Sequence, residues 1–258
     1  MPQPAPTERA IVDRLRAAGC VFAEDEARLL IAEDSADLES MVTRRVAGEP
    51  LEYILGWAEF CGLRIEVEPG VFVPRQRTGY LVKLAVKLAE PGSVVVDLCC
   101  GAGAIGAALA VAVPGVELYA ADLDPAAVAC AHRNLDPIGG QVFEGDLYAP
   151  LPAALRGRVD VLAVNAPYVP TDEIALMPPE AREHEHRMAL DGGADGLDFH
   201  RRVAAEAPAW LTPGGSLLIE TSTMQAARTA AIFEAAGLAT RVKRSKKFYS
   251  TVVIGVLR

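Results

Sequence analysis

The stretch Val94–Gly106, VVVDLCCGAGAIG, leaves this chain fewer possible folds than any other part of it. Its Val-rich start, Val94–Leu98, is predicted to be a fully buried strand of a parallel sheet. Gly101 and Gly103 then make a turn, and the apolar, helix-forming run Ala104–Val113 follows. A strand that turns on glycines into a helix leaves unpaired backbone N–H groups aimed at a ligand. One βαβ unit later, Tyr119-Ala-Ala-Asp122 closes a second strand on an acid.

Two ligands compete for this turn. Gly101-x-Gly103-x-x-Gly106, with Asp122 about 20 residues on, has the dinucleotide spacing. The other is S-adenosylmethionine (SAM), whose turn carries an acid at the end of the preceding strand. Asp97 stands there, placed to receive the ammonium of the methionine part directly or through water. Asp122 is expected to take the ribose hydroxyls of either ligand. Cys99 and Cys100 are adjacent, which makes them poor joint ligands for one metal. They read as small residues in a packed turn.

From Ser93 onward strand and helix alternate, which predicts a doubly wound α/β sheet. Strands are expected at Val94–Leu98, Val116–Ala121, Gln141–Glu144, Val159–Val164, Ser216–Glu220, Ala239–Val242 and Thr251–Val256. Asp124-Pro125 supplies an N-cap and a first-turn Pro for a helix reaching Leu135. Helices are also expected over Leu197–Trp210 and Met224–Ala236, and a long polar loop between Tyr168 and Gly196. Seven strands ending in a hairpin-length link, Lys243–Ser250, suit the Rossmann-like sheet of a class I SAM-dependent methyltransferase.

Ahead of the sheet, three amphipathic helices are predicted. Thr7–Gly19 carries Ile11, Val12 and Leu15 on one stripe, capped by Thr7. Glu24–Ala32 continues with Ala27, Leu29, Leu30 and Ile31, and Asp37–Ala47 turns Leu38, Met41, Val42 and Val46 inward. They form a small helical domain, residues 1–48, that either caps the core or holds a partner. Residues 49–78 form a hairpin-like linker, with β character at Glu59–Gly62, Leu63–Val67 and Val71–Val73. Thr78 is the expected cap of a helix over Gly79–Ala89, within a catalytic domain of residues 79–258.

A chain of 258 residues, 51% hydrophobic, suits one large domain with a small appendage. Its net charge of −9 argues against long-range attraction to a polyanion, so direct nucleic-acid binding is not expected. Five scattered cysteines without metal spacing point to a reducing compartment. Met1–Ala10 lacks the apolar stretch of a signal peptide, and no run approaches membrane length. The cytoplasm is the expected location, with no membrane partner.

Asn165-Ala166-Pro167-Tyr168 follows the fourth predicted strand, where ligands bind in open α/β sheets. The Asn165 side-chain carbonyl and the Ala166 backbone carbonyl are two acceptors for the two N–H bonds of a planar NH₂ group. Pro167 restricts Ala166 to an extended shape that turns its carbonyl outward. An amide nitrogen is a poor nucleophile because its lone pair is delocalised. Gripping both hydrogens aims that nitrogen at the methyl carbon of SAM and favours pyramidalisation, so the rate comes from orientation and preorganised dipoles. Tyr168 is expected to pack on the flat face of the group. Together with Asp97, Gly101, Gly103 and Asp122, this motif favours SAM over a dinucleotide.

These motifs resemble those of the HemK/PrmC protein-glutamine methyltransferases, over nearly the whole chain. Glu49-Pro-Leu-Glu-Tyr-Ile-Leu-Gly56, Glu59-Phe60 with Gly62-Leu63, and Pro69-Gly70…Val73-Pro-Arg75 match the family's linker. The glycine turn, the Asn-x-Pro-Tyr motif and Ala189-Leu-Asp-Gly-Gly-Ala-Asp-Gly-Leu197 match its catalytic domain. The family methylates the glutamine side-chain amide of release factors, and a sister group acts on a ribosomal protein. The resemblance implies SAM as cofactor, S-adenosylhomocysteine as product, and a glutamine-bearing protein as partner. It implies cofactor contacts at Cys99, Cys100, Gly101, Ala102, Gly103, Asp122 with Leu123, Asp146 with Leu147, and Asn165, with Leu147 beside the adenine. Asn165, Ala166, Pro167 and Tyr168 would grip the glutamine, and the N-terminal helical domain would help hold the protein substrate.

The chain departs from the family where Ala166 replaces the first Pro of Asn-Pro-Pro-Tyr and where Cys99 replaces the first glycine of the turn. Gln76-Arg77-Thr78 stands for Pro-Glu-Thr, Glu185-His186-Arg187 for Glu-Pro-Arg, and Arg244–Ser250 lacks the usual Asp and Gly pattern. These departures mark a divergent member. Two other functions stay open at this point: an amino-group methyltransferase acting on nucleic acid, and a SAM-binding protein without catalysis. Glu183-His-Glu-His186 reads as a solvated loop, not a metal site. His132 and His200 read as structural or exposed. Arg241, Lys243, Arg244, Lys246 and Lys247 form a basic run, either a solvated hairpin or a contact for an acidic protein or RNA.

Overall fold

The computed structural model describes residues 7–33 and 36–258. The opening Met1–Pro6, on which the leader reading partly rests, lies outside the described residues. Three short helices begin the described chain: α1 (Glu8–Ala17), α2 (Ala23–Ala32) and α3 (Leu38–Val46). The Thr7 hydroxyl accepts the Ala10 N–H as the α1 cap. Ile11, Val12 and Leu15 pack against Ala23, Ala27, Leu30, Met41 and Val42. Leu29, Ile31 and Val46, expected inward, are instead exposed.

The buried residue in the last turn of α3 is Arg45. Its Nε donates to Glu26 at 2.7 Å and its Nη1 to Glu180 at 2.5 Å. A cation is tolerated inside because both partners are carboxylates. The Glu180 bond also ties this helical layer to the segment that roofs the sheet's ligand end.

α4 (Leu51–Leu55) adds Ile54 to the same apolar cluster and ends on left-handed Gly56. β1 (Trp57–Phe60) and β2 (Leu63–Glu66) pair antiparallel. They turn through Cys61 and Gly62, at φ 52° and 81°, the two positive values a type I′ hairpin needs. Val71–Val73, expected as β, joins no ladder. Its backbone is held by a side chain, with the Val73 N–H donating to Glu185 at 3.1 Å.

The remainder alternates as expected. α5 (Gly79–Ala85), β3 (Val94–Leu98), α6 (Ala104–Ala112), β4 (Glu117–Asp122), α7 (Pro125–Leu135), β5 (Gln141–Glu144) and β6 (Val159–Val164) come first. α8 (Pro179–His184), α9 (Asp198–Trp210), β7 (Leu211–Thr221), α10 (Ala226–Ala235), β8 (Leu238–Ser245) and β9 (Ser250–Leu257) follow. Three corrections apply. The expected loop from Tyr168 to Gly196 contains α8 and two 3₁₀ turns, Thr171–Leu176 and Arg187–Ala189. α5 is shorter than expected, and Thr78 makes no side-chain cap for it.

The seven strands lie in the order β5-β4-β3-β6-β7-β9-β8. β3 to β7 run parallel, and β9 and β8 close the sheet antiparallel. Alternation in β3 shows both faces buried: Val95 faces α5, α6 and α7, whereas Val94, Val96 and Leu98 face α9 and α10. Among the described residues no helix is long and apolar enough to cross a membrane.

Candidate active site

The chain leaves β3 outward through β4 and β5, then returns to lay β6 on the other side of β3. That reversal opens a crevice at the carboxyl ends of the strands, where such sheets bind ligands. A cavity of about 1290 Å³, counted with its solvent-facing mouth, occupies it. The β3 turn brings Cys99, Cys100, Gly101 and Ala102 to its wall, and the end of β4 brings Asp122 and Leu123. The turn after β5 adds Asp146 and Leu147, and the exit of β6 adds Asn165, Ala166, Pro167 and Tyr168.

Two expected residues are not on the wall. Gly103, at φ 77°, packs against α7, and a Cβ there would stand 2.9 Å from Leu135 Cδ1. Asp97 is fully buried behind the turn. Its Oδ2 accepts the Gly106 N–H at 2.8 Å, and its Oδ1 has no partner among the described residues. Burial pushes this carboxyl up to about 7, against the pull of the Gly106 N–H.

Asp122 braces the turn from the next strand. Its Oδ2 accepts the Gly101 N–H at 2.8 Å and its Oδ1 the Asp124 N–H at 3.0 Å. Each oxygen keeps a lone pair beyond those two bonds, and Asp122 lines the cavity. Gly101, at φ 54°, has nothing within 4 Å of where a Cβ would sit, so its open side faces ligand space. Asp124 caps α7 through the Ala126 N–H at 2.9 Å and holds His186 Nδ1 at 2.6 Å. His186 is thus a partner of the cavity rim. Among the described residues no cluster of His, Cys, Asp and Glu is placed to hold a metal.

Cys99 and Leu147 take the left-handed region, at φ 54° and 50°. A side chain there costs about 1–2 kcal/mol relative to glycine. Cys100 is buried and Cys99 half-buried, and desolvation pushes both thiols well above the usual range, so they stay protonated. Cys99→Gly is expected to release that strain, less the extra freedom glycine gains unfolded. The net gain of about 1 kcal/mol would appear as a melting temperature raised by about 2 °C.

The opposite wall contains residues that the sequence reading did not assign. The Tyr168 hydroxyl accepts from Arg77 Nη2 at 2.8 Å and lies 3.5 Å from Glu220 Oε1. Arg77 Nε donates to the same Glu220 oxygen at 3.2 Å. Glu220 is buried at the end of β7, and burial pushes its carboxyl up while Arg77 pulls it down. Burial, followed by the Glu220 charge, raises the Tyr168 phenol to about 12, so it stays a neutral ring on the wall. An acid closing the apolar strand Ser216–Glu220 was a legible signal, and Arg77 stood out only as part of the Gln76-Arg77-Thr78 departure, with no role attached.

The glycine-rich segment Asp191–Leu197 fixes the backbone of this wall. The Val169 N–H donates to Leu190 O at 3.1 Å, and the Gly192 N–H donates to Val169 O at 2.8 Å. Gln225 Nε2 donates to Tyr168 O at 2.9 Å. A Cβ on Gly192 would stand 2.8 Å from the Tyr168 Cα. Above the cavity, Met177, Met188 and Leu190 form an apolar roof. The buried Glu185 ties that roof to the linker, accepting from Arg75 Nη2 at 2.6 Å. His200 is structural: it is buried against the Thr229 hydroxyl at 2.9 Å, and burial lowers it to about 4.

Comparison with known proteins gives this geometry a family. The family model for the methyltransferase small domain matches residues 62–177. A Geobacter sulfurreducens release factor glutamine methyltransferase is 41% identical over 207 residues, covering 80% of this chain and 72% of the relative. One from Cereibacter sphaeroides is 37% identical and covers 90% of each chain. The crystal structure of a Pyrococcus furiosus methyltransferase shares the fold, with a TM-score of 0.57 at 18% identity, over 76% of this chain and 89% of that one. With this likeness running from the helical layer through the sheet, the chain belongs to the release factor glutamine methyltransferase family.

Proposed function

We propose that this enzyme methylates the side-chain amide nitrogen of a glutamine in a release factor, with SAM as donor. The observation that carries the reading is one cavity whose walls present Asn165–Tyr168 on one side and Gly101 with Asp122 on the other. The donor fits what the chain offers. The open side of Gly101 leaves room for backbone approach, the unpaired Asp97 Oδ1 awaits a donor, and Asp122 keeps acceptors free for ribose hydroxyls. Cys99, Cys100, Ala102, Gly103, Leu123, Asp146 and Leu147 complete this pocket, Gly103 and Asp97 from behind the wall. When bound, SAM supplies an electrophilic methyl group on a sulfonium.

The chain's own residues supply orientation. The Asn165 side-chain oxygen and the Ala166 carbonyl accept the two amide hydrogens, turning the nitrogen lone pair into the cavity. Ala166 retains the carbonyl that a proline would present, so the substitution leaves the grip intact. Tyr168 stacks on the amide plane, steadied by Arg77 and Glu220. A methylated amide cation is strongly acidic and needs no dedicated base. The apolar roof of Met177, Met188 and Leu190 limits water at the reacting centre. Residues 1–48 are assigned to holding the protein substrate and 49–78 to linking them to the catalytic residues 79–258. Five free cysteines support a cytoplasmic location.

The test uses purified enzyme, SAM with a labelled methyl group, and release factor from a strain lacking this gene. Label on a glutamine, located by mass spectrometry, is the expected result. Label that nuclease removes and protease leaves would move the enzyme to nucleic acid.

The Asp97 carboxyl gives a second check. Its folded value is raised, so the unliganded protein loses stability as pH rises from about 4 through 7, when a buried anion must form. A cationic amine near Oδ1 favours that anion, so SAM affinity is expected to climb as pH rises through about 7. Calorimetry across pH should show this slope for the wild type and none for Asp97→Asn. A slope that persists in the variant assigns it to another group.

A further inference from the structure

The last strands carry a charge pattern that the methyl-transfer site does not use. From Leu238 to Arg258 the chain contains no acid, yet it holds Arg241, Lys243, Arg244, Lys246, Lys247 and Arg258, in a protein of net charge −9. Arg241, Lys243 and Arg244 are exposed on β8, an edge strand of the sheet, and Lys246 and Lys247 on the turn to β9. Among the described residues none of these five forms an ion pair. The contrast is with Arg14, Arg44, Arg45, Arg75, Arg133 and Arg201, all salt-bridged. One or two lysines protect an edge from strand pairing. Five unpaired cations exceed that need and repel one another.

The turn is anchored to α5 and, through the buried Glu220, to the back of the cavity wall. Phe248 stacks on Tyr80 at 5.8 Å, and the Tyr80 hydroxyl donates to Arg244 O at 3.4 Å. Ser250 Oγ donates to Glu220 Oε2 at 3.5 Å, and Glu220 meets Arg77 and Tyr168 at the cavity wall. The turn between β8 and β9 therefore lies at the ligand end of the sheet, on the flank of the wall that Arg77 and Tyr168 form.

We propose that the cationic edge Arg241–Lys247 receives a compact acidic surface of the protein substrate beside the glutamine, an inference that rests on the protein-methylation reading. A strand of this length spans about 20 Å, which matches a cluster of carboxylates. A longer polyanion would run off it onto an acidic protein, and only Tyr249 is an exposed aromatic on the turn, whereas strand-binding surfaces stack successive bases. Opposite charge at the rim speeds encounter and fixes register more than it changes the chemistry.

The experiment compares wild type with the triple variant Lys243→Glu, Lys246→Glu, Lys247→Glu, all exposed positions outside the methyl-transfer cavity. With purified release factor, KM is expected to rise about tenfold at low salt and to converge on wild type at ~0.5 M salt, with kcat unchanged. Labelled decaglutamate peptide should bind the wild type and not the variant, by fluorescence anisotropy. An unchanged KM at low salt overturns the proposal, as does single-stranded RNA that binds the edge where decaglutamate fails. A wild type that leaves release factor unmethylated defeats the functional reading instead, and the anisotropy still decides the edge.

Discussion

Asn165→Ala is expected to lower kcat by about 30- to 1000-fold, the loss of about 2–4 kcal/mol of transition-state stabilisation. The figure follows from the role of the side-chain oxygen. In the proposed grip it is one of two acceptors for the amide hydrogens, and it would act most strongly as the nitrogen pyramidalises and its hydrogens become more acidic. Backbone geometry should be unaffected, because Tyr168 and Val169 are fixed by Gln225, Leu190 and Gly192 and not by Asn165. Cofactor binding, measured separately by calorimetry, should change far less than kcat. Asn165→Asp retains an acceptor and should fall between the two. A variant with wild-type kcat would remove Asn165 from the grip. A variant whose only defect is cofactor affinity would confine it to the cofactor side.

Arg77 offers a smaller effect of the same kind. Arg77→Met should raise KM for the protein substrate several-fold, because it frees the Tyr168 ring and leaves Glu220 buried without its cation. Arg77→Lys should restore part of the charge compensation but not the fork that reaches both Tyr168 and Glu220. If Arg77→Lys and Arg77→Met behave alike, the fork geometry is what matters.

The glycine turn after β3, the acid ending β4 and the tetrapeptide after β6 were legible because each lies at a strand end, where local pattern and sheet topology coincide. The full burial of β3 and the capping of α7 by Asp124 were legible in the same way, from neighbouring residues. What stayed hidden depends on residues far apart in sequence. Arg45 is buried because Glu26 and Glu180 meet it, one from α2 and one from α8. Val71–Val73 has β-forming residues but no strand beside it, and Glu185, more than a hundred residues on, holds its backbone instead. Leu29 and Ile31 satisfy an apolar pattern, yet a three-helix layer this small has only one inner face for α2. The roof segment read as a polar loop because its order comes from bonds to the linker and to Asp124, not from its own periodicity.

Gly196→Ala should be among the most damaging single-methyl changes in the catalytic half, and its control is built into the chain. Gly196 sits at φ 72°, and an added Cβ would collide with the Tyr168 carbonyl oxygen and the Gln225 amide. The left-handed strain costs about 1–2 kcal/mol, and the overlap adds about 1–3 kcal/mol, because backbone rather than a flexible side chain must move. Gly237→Ala shares the strain at φ 86° but has nothing within 4 Å of its Cβ position. It should lose only the strain energy and keep its kcat. The Gly196 variant should lose more stability, and also catalysis measured at a temperature where it remains folded, since a displaced Tyr168 carbonyl shifts Asn165 and Ala166 with it. A misplacement near 1 Å at a reacting centre costs on the order of 100-fold. Denaturant melts and kcat measured on both variants separate the two contributions. If the Gly196 variant is destabilised yet turns over normally, the glycine segment supports the fold without setting the geometry of the grip. If stability and kcat fall together while the Gly237 variant loses stability alone, that segment is what holds the amide-binding carbonyls in place.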